Sequence, residues 1–226
     1  MKKTLIYIFI VTLFSCDQAQ KTDTSVETKR ESKYGKLLSK FKDISIDTLR
    51  IYSPEYSSEK LIGEFVGVEL DSTDAILFPN DIELQHFNDP PGLYAVYKFP
   101  VDSNTLGLIT RTPSEYVPSS IKLFYFDKIK DSITSYIELA DTWGDAGDYT
   151  SKDSWLFKDS LQNLQAFIWV MEGHDNSVDN EKDTTTQEWN YYYLLDISKP
   201  KVDTISKDEK ELLKKFSNII KRKAIR

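Results

Sequence analysis

The chain has 226 residues, with 29 Lys and Arg against 36 Asp and Glu and a formal net charge of −7. That balance argues against nucleic acid and against adhesion to anionic headgroups, and the length allows one good core rather than two. A single cysteine excludes a disulfide within the monomer, so the fold must hold itself together by its core.

At the N-terminus, Lys2 and Lys3 precede the apolar run Leu5 to Phe14, and Ser15 stands before Cys16, the lone cysteine. This is a positive n-region, a short h-region and a small residue before a cut. The run is about half the ~20 residues a spanning helix needs, so the segment reads as a signal peptide over residues 1–15 rather than a permanent anchor. Leu13-Phe14-Ser15-Cys16 resembles a bacterial lipobox. The resemblance implies that Cys16 is the lipid attachment site, carrying diacylglycerol on its thiol and a fatty acyl group such as palmitate. The acyl chains of such a lipoprotein exceed the two signals that stable membrane anchoring needs. Cleavage removes two lysines and leaves 27 basic against 36 acidic residues, a net charge of −9.

Residues 16–36 are polar and nearly free of large apolar groups. They cannot bury enough surface to offset their ordering entropy, so they read as a flexible, lipidated tether spanning on the order of 25 Å. Residues 37–226 then form one β-rich domain. From Ile44 the apolar pattern takes a period of two, in Ile44 to Ile46, Leu61 to Leu70, Leu93 to Phe99, Leu106 to Ile109 and Ile121 to Phe126. It continues through Ser132 to Leu139, Leu164 to Met171 and Trp189 to Asp196, with turn-forming residues separating nearly all of these runs. About eight or nine such strands without intervening helices predict an all-β antiparallel sandwich or barrel. A faint echo between the hairpins after Phe124 and Leu194 leaves a small propeller-like array as the alternative.

One helix is predicted at about 207–222. Ser206 and Glu209 have capping-box spacing, and Leu212, Leu213, Phe216, Ile219 and Ile220 fall on one stripe. Acids lead and bases close, which suits the helix dipole. The apolar stripe is expected to pack on the sheet or to plug a barrel mouth.

The densest polar constellation is Asp141-Thr-Trp-Gly-Asp145-Ala-Gly-Asp148. Read as a loop, its carboxylates Asp141, Asp145 and Asp148 suit a Ca²⁺ ion, with glycines turning carbonyls inward, although the spacing is not that of an EF-hand. No other cofactor is indicated. Trp143 and Trp155 flank the same segment and are candidates for a ligand surface, whereas Trp169 and Trp189, mid-strand, are expected in the core. His86 and His174 are the only histidines, and they lack zinc-site spacing. A His174–Asp175 acid–base pair is conceivable, but no serine-nucleophile, Walker or Rossmann pattern occurs, so no catalytic residue is assigned.

From lipobox to Tyr- and Phe-rich strands, with Ile137 to Asp148 and Ser154-Trp155-Leu156, the chain resembles small lipoproteins of Bacteroidota. The resemblance implies O-glycosylation where Asp-Ser or Asp-Thr precedes an Ala, Ile, Leu, Val, Met or Thr. That pattern occurs at Thr48, Ser72, Ser132, Ser160, Thr184 and Thr204. Asp-Ser and Asp-Thr are also good turn starters in their own right. Surface export in that phylum is signalled by acids just after the lipidated cysteine. Asp17-Gln-Ala-Gln-Lys21 offers one acid and then a base, which favours an outer-membrane anchor facing the periplasm. The expected function is a cell-envelope lipoprotein with a soluble, non-catalytic binding or accessory domain, its partner an envelope protein or a glycan. The alternatives are an envelope enzyme acting on glycans and a β-barrel carrier of a small apolar ligand.

Overall fold

A computed structural model describes residues 32–57, 60–80, 82, 92–114 and 119–223. The export segment, Cys16, the tether up to residue 31 and His86 lie outside the described residues. The packed body begins earlier than composition suggests. The Tyr34 ring is buried against Phe126, 4.9 Å between centroids, and Ser32 and the Lys33 amide bond the Asp131 carboxylate.

The chain forms α1 (Gly35–Ser39), β1 (Lys42–Asp43) and β2 (Thr48–Ile51), then a small hairpin of β3 (Glu55–Ser57) and β4 (Lys60–Ile62). After β5 (Val68–Glu69) and α2 (Ser72–Ala75) comes a long antiparallel meander. Its strands are β6 (Tyr94–Pro100), β7 (Thr105–Thr112), β8 (Ser120–Asp127), β9 (Ser132–Asp145), β10 (Asp148–Lys158), β11 (Leu164–Asp175) and β12 (Thr186–Asp196). β13 (Asp203–Ser206) adds one edge, and α3 (Glu209–Lys215) and α4 (Ser217–Lys223) follow. Among the described residues the hydrogen-bonded order runs β1-β6-β7-β8-β9-β10-β11-β12-β13, and the sheet does not close. The fold is all-β, as the period of two predicts, and it is a sandwich rather than a barrel or an array of separate blades.

The sandwich comes from β9. At 14 residues it is long enough to serve two neighbours in turn. Its first part pairs with β8, from Asp127 opposite Ser132 to Ile121 opposite Ala140, with two register shifts that sharpen the bend. Its last part pairs with β10, Asp141 opposite Lys152 through Asp145 opposite Asp148. Where β9 leaves β10, β2 takes its place beside Ser154 to Phe157. The continuous sheet thereby folds over on itself, and the layer between its halves is filled by Ile51, Phe65, Ile109, Leu123, Tyr125, Leu156 and Ile168 among others. The Tyr125 hydroxyl spans this layer and donates to the Ile197 carbonyl at 2.9 Å. Burial pushes that phenol well above its ordinary value, as does the charge of Asp196.

Each outer face has its own cover. α1 and α2 bury Leu37, Phe41, Ala75 and Phe78 against Phe124 and Phe126. Asp71 caps α2 by accepting from the Thr73 and Asp74 amides, and Lys40 of the first helix pairs with the buried Asp74. On the opposite face, Leu212 and Phe216 pack on Trp155, Phe167, Tyr192 and Leu194. The stripe therefore packs on the sheet as expected, but the helix is not one piece. Phe216, at φ −107° and ψ 16°, interrupts it, and its ring stacks on Phe167 at 4.1 Å with 15° between planes. The cap also differs. Asp208 accepts from the Glu211 amide at 2.9 Å, while Ser206 donates to the Glu211 carboxylate.

Phe216→Ala removes a ring held between Phe157 and Phe167, and is expected to cost about 3 kcal/mol. Truncation after Lys207 should lower the melting temperature further, read by thermal or urea unfolding. An unchanged transition in both would mean that the terminal helices contribute nothing to the packed body.

Candidate functional site

The residues from Asp141 to Asp148 are not a loop. They close a two-residue β-hairpin whose turn, Ala146 at φ 49° and Gly147 at φ 91°, has the two positive φ values of a type I′ turn. Glycine is needed at the second position for space as well, since a Cβ on Gly147 would sit 3.1 Å from the Asp175 carbonyl. The strand geometry separates the three carboxylates proposed as a Ca²⁺ site. Asp141 and Asp145 are four residues apart on an extended strand, about 13 Å. Asp148 lies opposite Asp145 and is taken up by His174 instead. Among the described residues, no three His, Cys, Asp or Glu side chains are grouped so as to hold a metal ion.

His174 pairs not with Asp175 but with two other acids. Its Nδ1 lies 2.7 Å from Asp148 on β10, and its Nε2 lies 3.0 Å from Asp179 in the loop after β11. The Asp148 bond and then the Asp179 bond raise the imidazole above its ordinary value. As an imidazolium it donates from both nitrogens and ties that loop to the β9–β10 hairpin. Alongside, Tyr149 lies over Gly173 and reaches the Glu188 carboxylate at 3.1 Å, so one ring fastens three strands.

The tryptophans are distributed differently from expectation. Trp155, a candidate for the ligand surface, is 6% exposed, on the sheet face covered by the terminal helices, 5.7 Å from Phe167 and under the Arg50 guanidinium. Strand alternation puts it there together with Asp153, which pairs with Arg50 at 2.7 Å. Trp143 is half-buried on β9 opposite Thr150. Trp169, expected in the core, is half-buried against Tyr192, and Trp189 is 46% exposed. The Asp-Ser and Asp-Thr positions Thr48, Ser72, Ser160, Thr184 and Thr204 are exposed and Ser132 is half-buried. The preceding Asp71, Asp159 and Asp183 each accept backbone amides in a cap or turn.

The concave side of the second half of the sheet carries a groove of about 480 Å³. Its floor is Ile168, Val170 and Leu195, and Tyr191 and Tyr193 of β12 form one side. Glu138, Lys152, Glu172 and Lys207 supply charge, with Thr204 on β13. The faces follow from register: Lys152 lies opposite Val170, and Val170 opposite Tyr191, so the three line one row across β10, β11 and β12. Tyr191 is 42% exposed, and Trp189, two residues further along the same face, carries the aromatic line outward beside Glu172. The Lys207 ammonium sits 5.4 Å over the Tyr193 ring.

Glu138 forms the inner end of the groove and binds the corner together. It pairs with Lys152 of β10 and, at 3.4 Å, with Lys122 of β8, and it accepts from the Ser120 hydroxyl at 2.8 Å. Burial works to raise its carboxyl, but the two lysines and the hydroxyl outweigh it and hold it below the usual range. Asp141, close by, is raised by burial and by the charge of Glu138, although hydrogen bonds oppose the shift. Of these groove residues, Tyr191 and Tyr193 are visible in the sequence only as members of the strand Trp189 to Asp196. Glu138 and Lys207 carried no signal, because their meaning lies in partners from other strands.

No protein-family model, no curated protein and no solved structure matches this chain.

Two outcomes follow from the charges. Glu138→Gln leaves Lys122 and Lys152 facing each other and should cost about 2 kcal/mol at neutral pH. Because the folded carboxyl titrates below its ordinary value, that stabilisation exists above about pH 4.5 and fades in acid, so wild-type and variant melting curves should converge there. His174 behaves with the opposite sign. Its raised value means that the clasp is complete below about pH 6 and is lost as pH rises through the folded value. The difference in melting temperature between the native chain and His174→Gln should therefore shrink in alkaline buffer.

Proposed function

We propose that this protein is a cell-envelope lipoprotein, lipid-anchored at Cys16 of the outer membrane and facing the periplasm, whose β-sandwich is a non-catalytic binding or accessory module. The observation that supports a binding role is the groove. An open concavity of about 480 Å³ falls within the range of ligand sites. Large aromatic side chains left 42–46% exposed at its edge are costly to leave in water unless something covers them. The charges of the groove favour holding over chemistry. Glu138 is engaged by two lysines and a serine, and Lys207 sits over a ring, so neither is poised to move a proton. The barrel-carrier alternative draws no support from an open sheet around a filled core.

The anchor is tested by metabolic labelling with a fatty acid. The native chain should label and fractionate with membranes, and Cys16→Ser should do neither. The binding role is tested in the same cells with a photo-crosslinking residue at position 191, and at position 178 as a control. Val178 is exposed in the loop after β11, away from the groove lining. An adduct formed from position 191 and not from 178 is the expected result. Equal adducts from both, or none from either, would sink the groove as the ligand site.

A further inference from the structure

We infer that the groove takes a neutral carbohydrate chain, its rings laid along β12 against Tyr191 and Trp189. This rests on the groove being the ligand site. Alternate residues of β12 put Trp189, Tyr191 and Tyr193 on one face, about 6.8 Å apart. Tyr193 already carries Lys207, which leaves the exposed rings of Tyr191 and Trp189 as free stacking faces in a line. A pyranose is apolar on its C–H faces and hydroxylated around its edge. It needs a flat ring beneath it and polar side chains beside it.

Those polar groups are in place. Glu172 lies directly across from Trp189, the Lys152–Glu138 pair closes the row that contains Tyr191, and the Thr204 hydroxyl lies on the far side near Leu195. Two acids and two bases give the groove no net charge, so it offers no field to select an anionic or a cationic ligand. An apolar ligand would strip water from all four charges and return nothing to them. A peptide is also a poor fit. Peptides add to sheet edges through backbone bonds, but this floor is the face of β11, whose backbone is paired to β10 on one side and β12 on the other.

The full chain, purified in a detergent without a sugar headgroup, is titrated by calorimetry with neutral, uronate-containing and amino-sugar oligosaccharides. Neutral chains should bind, and Tyr191→Ala and Trp189→Ala should each weaken them about tenfold. Glu172→Gln should weaken them less and Val178→Ala not at all. Circular dichroism and melting confirm that these exposed positions leave the fold intact. Equal or tighter binding of uronate-containing or amino-sugar chains would overturn the neutral class. Binding unaffected by both aromatic substitutions would overturn the placement. Failure of every sugar, with a protein adduct from position 191, would overturn the carbohydrate and leave the groove standing. Failure of every sugar with no adduct would overturn both.

Discussion

The rest of the structure depends on one strand changing partners. β9 leaves β8 after Ala140 and joins β10 at Asp141, and β2 fills the edge of β10 that β9 does not reach. A polar backbone is costly to leave bare inside a sandwich, and β2 supplies partners for Ser154 to Phe157 of β10 where β9 no longer reaches. Ser154 helps by donating its hydroxyl to the Leu139 carbonyl at the point of departure. Without the bend the meander would be a flat sheet with apolar residues on both faces. With it, one set of apolar side chains becomes the interior and the two outer faces are left for helices.

The groove is a by-product of the same bend. The first half of the sheet turns away at β9, while β10, β11 and β12 continue in register well past the point of departure. One side of that extension is sealed by Phe216 and Leu212, and the other is open as the groove. At the boundary the interior changes from Leu156 and Ile168 to Lys152, Glu138 and Glu172. A charge so near a core is tolerated because it is paired there, and the Lys122–Glu138–Lys152 bridge holds the two halves at a fixed opening. Stability and site geometry therefore rest on the same side chains.

The all-β class was legible because the strands are short apolar and aromatic runs bounded by turn residues, as Leu93 to Phe99 and Ile121 to Phe126 are, although both of these are buried on both faces. β10 was not legible as a strand. Its positions on the groove side of the projecting part are Asp148, Thr150 and Lys152, which are not covered by a core, so the hydrophobic alternation stops while the backbone pairing continues. For the same reason the hairpin resembles an acidic loop in sequence, while its strand pairing holds Asp141 apart from Asp145 and Asp148. Trp155 and Trp189 exchanged their expected roles through strand phase alone. Each stands two residues before another aromatic, Phe157 or Tyr191, and only the register across β10, β11 and β12 decides which face is covered by helices. Long-range ion pairs such as Lys122 with Glu138 leave no mark in local sequence at all.

The entry of the chain into the body bears on how a tethered module would present its groove. Ser32 and Lys33 bond Asp131, immediately before β9 begins, whereas the Ala146–Gly147 turn lies at the other end of that strand. Fourteen residues of strand follow a path of roughly 45 Å between these points. Under the lipoprotein reading, the polar segment that leads back to Cys16 leaves from the near end, and the projecting strands β10 to β12 extend toward the far end. A ligand lying along β12 would then reach toward the end of the body remote from Ser32. The contact of Ser32 and Lys33 with Asp131 thus fixes which end of the body the chain enters, opposite the turn from which β10 starts.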